Sequence, residues 1–227
     1  PTMLALTHGF TLGFLTMVMM GALLQLVPVI GGIGIAKPRL IATTSHALYC
    51  VGVIALMLSF VLASNWLTLA ALVLLSLGLS IYLGAIIWVL VKKISQGDSI
   101  NCFRLAITSL VILLLLGILL LANRAGINVS FITLDKHVTD FHALMGLVGW
   151  AGILIIAVSF QVLPMFHVAP NMPKYIRQYL GVSIFVLLIV YIFYTEFALG
   201  LIFISHGVFS FTLLSVINQR KRKVPDT

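Results

Sequence analysis

Six histidines are spread over this chain of 227 residues, and four of them stand where an imidazole is costly. His8, His46, His142 and His206 lie within or at the edge of long apolar runs, whereas His137 precedes such a run and His167 ends one. An ionisable side chain inside an apolar span marks either a functional position or an interhelical hydrogen bond. Two of the four share more than this. At a rise of about 1.5 Å per residue, His8 and His142 both come within roughly 10 Å of the same membrane surface, on helices that run in the same direction. Each is accompanied by residues without side chains: Gly9 and Gly13 beside His8, and Gly146 and Gly149 one and two turns after His142. A helix face with an imidazole above small positions admits a flat group. Close helix packing explains the glycines alone. A haem explains the histidines as well, because neutral imidazoles ligate its iron axially and the ring needs small neighbours.

The other polar candidates carry less. His46, in "TTSHALYC", and His206, in "ISHGVFS", each follow a serine. Their depths, about 10 Å from the inner face and about 14 Å from the outer, suit ligands of a second haem, a proton path or a structural bond. Zinc structural sites want four ligands with Cys or close His spacing, and Cys50 and Cys102 form neither a CxxC pair nor a disulfide framework. Copper would draw on Met17, Met19, Met20 or Met165 with His167. The methionines of "MVMM", however, point in several directions around a helix, as packing residues do.

These residues need elements to hold them. Hydrophobic types make up 62% of the chain and charged types 8%, more apolar surface than a soluble fold can hide. The runs are long and do not alternate, so the expected fold is all-α and polytopic rather than a membrane barrel. Breaks at charge, Pro, Gly and Asn divide the chain into seven spans near 3–30, 39–63, 66–91, 104–123, 141–166, 178–195 and 197–218, forming one transmembrane bundle over residues 1–227. The last two are separated only by Thr195, Glu196 and Gly200. The first run is too long for a cleavable signal peptide and is followed by helical hairpins.

The formal charge of +8 would suit nucleic acid, but in a polytopic protein basic residues gather in cytoplasmic loops. With the N-terminus outside and the C-terminus cytoplasmic, Lys37, Arg39, Lys92, Lys93, Arg104, Lys174, Arg177, Arg220, Lys221, Arg222 and Lys223 all fall inside. Only Arg124 and Lys136 fall outside, with Asp135, Asp140 and Glu196. Arg124 is thus the better outer partner for a haem propionate, since a guanidinium engages a carboxylate through two parallel bonds.

An internal repeat is also visible. At an offset of 136, Gly13, Phe14, Gln25 and Pro28 fall on Gly149, Trp150, Gln161 and Pro164. Repeats in membrane proteins often place a site at their shared interface.

"LTHGFTLGFLTMVMMGALLQLVPVIGGIGIAKPRL" resembles the second helix of the haem–copper oxidase catalytic subunit, and "DFHALMGLVGWAGILIIAVSFQVLPMF" resembles its tenth. The pattern is also similar to shorter oxidase-like membrane proteins and to the NnrS haem proteins linked to nitric oxide. The resemblance implies that His8 and His142 are the axial ligands of a b-type haem near the outer face of a bacterial cytoplasmic membrane. It covers about sixty residues. There is no His-His dipeptide for a copper site, and Leu144 stands where the tenth helix carries a second histidine. Copper-dependent oxygen reduction is therefore not expected.

The leading expectation is a haem b protein of electron transfer or small-gas chemistry, an oxidoreductase in the broad sense. A proton-coupled transporter or channel, or an accessory or assembly subunit of a respiratory complex, are the alternatives. Against transport, no acidic residue lies within a span. The lipid bilayer is the one certain partner. The sequence leaves the redox partner open and is compatible with a homo-oligomer.

Overall fold

The structure, a computed structural model, describes residues 1–92, 98–129 and 134–219. These form helices α1 (Thr2–Gly31), α2 (Pro38–Leu62), α3 (Asn65–Lys92), α4 (Asp98–Arg124), α5 (Lys136–His167), α6 (Lys174–Val190) and α7 (Thr195–Asn218). No strand occurs among the described residues. In lipid every backbone polar group must be satisfied within its own segment, which leaves these apolar runs no other regular form. Six of the helices are long and apolar enough to cross a membrane, so the protein is polytopic and helical. The seventh expected span falls on α6, which has 17 residues and ends in the turn at Tyr191–Phe193. Of the residues behind the expected orientation, Lys93 and Arg220, Lys221, Arg222 and Lys223 lie outside the described residues.

Both α1 and α5 contain a π segment, Thr11–Thr16 and Met145–Gly152 respectively, where the backbone ladder widens. The widening leaves carbonyls out of register with their usual partners. In α1 the Leu12 carbonyl accepts from the Tyr49 hydroxyl of α2 at 3.2 Å, and one helical turn below the segment the Met20 carbonyl accepts from Tyr82 of α3 at 3.3 Å.

The offset of 136 found in the sequence holds in the backbone. The helical stretch after each π segment covers 15 residues in both copies, Met17–Gly31 and Ile153–His167, and each contains its proline, Pro28 or Pro164. Both stretches end on a residue in the left-handed region, Gly32 at φ 66° and Val168 at φ 49°. The following helices then start at Pro38 and Lys174, again 136 apart.

The chain divides into two compact units, 1–95 with 111–142, and 96–110 with 143–227. Within the first, α2 and α3 form a tight hairpin around Ala63. Their backbones approach at two glycines: a Cβ on Gly78 would lie 3.1 Å from the Ser45 carbonyl oxygen, and one on Gly52 would lie 3.0 Å from the Leu75 nitrogen. Leu23, Tyr49, Tyr82 and Ile86 fill its core. In the second unit Trp150, Ile153, Ile156 and Ile184 are buried, and the Gln161 side-chain amide donates to the Ser99 hydroxyl at 2.9 Å.

Candidate functional site

The first unit brings His8 and His142 together. Their ring centres are 6.5 Å apart and their planes differ by 24°. Each imidazole stands three residues before the π segment of its helix, and an inserted residue turns the helix face above it relative to the face below. The second π segment is two residues longer, at 8 against 6. The second segment starts two residues earlier in the repeat, and the histidine of α5 likewise sits at 142, two positions before the repeat equivalent of His8, which is Leu144.

The two nitrogens of His8 are differentiated. Nδ1 lies 2.8 Å from the Leu4 carbonyl and can only donate to it, so the proton resides there and Nε2 keeps its lone pair. His142 differs: its Nδ1 is buried without a formed hydrogen bond. A side chain at Gly117 of α4 would meet the His142 ring at 3.4 Å, ordinary contact distance. Both rings are half-buried.

Next to the pair stands a short stack. The Phe60 ring lies 5.2 Å from that of His8, and the Arg124 guanidinium sits 4.9 Å from the centre of Phe60 while donating to the Ser59 carbonyl at 3.2 Å. Arg124 has no carboxylate partner among the described residues, whereas Lys136 pairs with Asp140 on its own helix. Sequence reasoning missed Phe60, which belongs to α2 and becomes visible only once α2 packs on α1.

An imidazole nitrogen bonds a transition ion at about 2 Å and lies about 1.1 Å from its own ring centre, so two rings sharing one ion from opposite sides have centres roughly 6 Å apart. The observed spacing meets that distance. Ordinary contacts between two rings also lie about 4.5–7 Å apart. Among the described residues no group of three or more His, Cys, Asp or Glu gathers as a metal site.

Comparison of the chain with protein-family models, with curated proteins and with solved structures finds no match. Its reading therefore rests on its own residues.

The remaining candidates take ordinary places. Gly13 faces Val53 of α2 at contact distance. Gly149 is closely packed in its own unit: a Cβ there would meet Ser109 at 2.8 Å and Leu188 at 3.2 Å, so this glycine serves helix packing. Gly146 lies in the π segment. His46 is 3.4 Å from Cys50 Sγ, one turn along its own helix. His206 donates through Nδ1 to the Ile202 carbonyl and turns Nε2 towards Gly152. Met19 and Met20 are buried packing residues, and Met165 is exposed.

Proposed function

We propose that this chain is a haem b-binding electron-transfer protein of a bacterial cytoplasmic membrane, with His8 and His142 as its axial ligands. The observation that carries the reading is the 6.5 Å separation of the two rings, supported by the Leu4 carbonyl that fixes the His8 tautomer. Bound haem would supply a one-electron couple within the apolar layer. If His8 and His142 both hold the haem, it would supply electron transfer rather than oxygen or nitric oxide chemistry. Phe60 packs against His8 and keeps its ring oriented, and Arg124 holds a positive charge at the same end of the first unit, available to a propionate.

The topology belongs to the same proposal. We take α6 as the seventh span, since 17 residues is the short end of what crosses a bilayer. The distribution of basic residues then puts the N-terminus outside and the C-terminus in the cytoplasm.

The test is optical. Purified from haem-replete cells, the protein should show a b-type α band in a reduced-minus-oxidised spectrum, and His8→Ala and His142→Ala should each abolish the low-spin signal. Retention of that signal in both variants would show that the ligands lie elsewhere.

A further inference from the structure

The two copies of the repeat differ in what covers them. In α5 the face made by Trp150, Leu154 and Ala157 is closed, with 1%, 2% and 0% of each residue exposed. Helix α4 contributes to that cover, with Ser109 against Gly149 and Ser99 accepting from Gln161. The equivalent residues of α1, 136 positions earlier, are Phe14, Val18, Gly21 and Gln25. Phe14 and Val18 are 59% and 58% exposed, Gly21 has nothing within 4 Å of where a side chain would begin, and Gln25 is exposed without a hydrogen bond. A face built for packing in one copy stands open in the other. It carries an amide, that of Gln25, with no hydrogen bond in the structure.

We propose that a second copy of this chain covers that face, so that α1 packs against α1 of its partner about a two-fold axis along the membrane normal. Such an axis brings each residue to its own equivalent at equal depth. Gln25 suits this arrangement because an amide carries both donor and acceptor and can pair with another amide. Gly21, one turn from Gln25, lets the two backbones approach closely, as small residues do at helix contacts in membranes. A hydroxyl answers the glutamine in the second repeat, and a second glutamine answers it here.

Cysteine cross-linking of the full chain in native membranes tests the proposal, with Cys50 and Cys102 replaced by Ala and one new cysteine introduced at a time. Val18→Cys, Gly21→Cys and Gln25→Cys should form disulfide-linked species of twice the chain mass under mild oxidation. Leu23→Cys, on the buried side of the same helix, should not. Separately, Gln25→Leu should weaken self-association at least tenfold in a dilution series in detergent while leaving the haem spectrum unchanged. A monomer at all three open positions, a linked species containing a different polypeptide, or equal cross-linking at Leu23 would each overturn the proposal, as would a Gln25→Leu variant that associates like the parent.

Discussion

Nδ1 of His8 and Nδ1 of His142 meet different surroundings: the first donates to the Leu4 carbonyl at 2.8 Å, whereas the second is buried near the Leu113 backbone without a well-formed bond. A bond to a backbone carbonyl raises the basicity of the opposite nitrogen and fixes the ring's orientation, so in the proposed haem site His8 would be the better-organised ligand of the two. Arg124 bears on the same site through charge. It lies behind Phe60, roughly 10 Å from the ligand ring, and at an effective dielectric of about 20 a unit charge at that range is worth about 1–2 kcal/mol. Oxidised haem iron carries one more positive charge than reduced iron, so removing the guanidinium stabilises the oxidised form. Arg124→Gln should therefore keep its haem and lower its midpoint potential by tens of millivolts in a redox titration, on the order set by that energy. A variant that keeps both haem and midpoint would reduce Arg124 to an anchor at the end of α4. The matched depth of the two histidines was legible from chain position and helical rise alone. Phe60 was not, because its neighbourhood to His8 depends on how α2 lies against α1.

Helix pairs in this fold are spaced by their glycines. At Gly78 the neighbours are backbone atoms, the Ser45 carbonyl and the Tyr49 nitrogen, which cannot swing aside as a side chain can. Gly78→Ala should therefore push α2 and α3 apart and cost about 1–3 kcal/mol, measured as a fall in the thermal midpoint in detergent. Gly84→Ala, on the same helix with open space around it, should be neutral or slightly stabilising because Ala is the better helix former. A second strain lies in the loop after α5. Val168 adopts φ 49° where the first repeat has Gly32, a conformation that costs a residue with a Cβ about 1–2 kcal/mol. Val168→Gly should recover about 1 kcal/mol of that, read in the same melting experiment. The helices came out close to the apolar runs, six of them long and apolar enough to cross a membrane, since hydropathy and helix breakers mark both ends. The π segments were hidden, because a widened ladder changes hydrogen bonding without changing which residues are apolar. Close packing was one of the readings open for Gly149, but its partners were hidden, because Ser109 and Leu188 are each about forty residues away.

For the whole molecule, the orientation proposed from charge can be read directly. A reporter fused after residue 227 should report a cytoplasmic C-terminus, and activity restricted to the opposite side would mean either that the topology is reversed or that the number of crossings is even. The short α6 is where the count is decided, since polar Lys174, Arg177 and Gln178 occupy its first turns and leave the apolar part to begin near Tyr179. With all seven helices crossing, α1 and α5 are four crossings apart, and so are α2 and α6. That is a condition of parity: an even interval returns the chain to the bilayer in the same sense, whereas two three-helix copies joined end to end would be upside down relative to each other. Helix α4, which has no counterpart in either copy, is the element that makes the interval even. Excising it would leave both sequences intact and yet send the second copy through the membrane backwards, with His142 on the opposite side from His8.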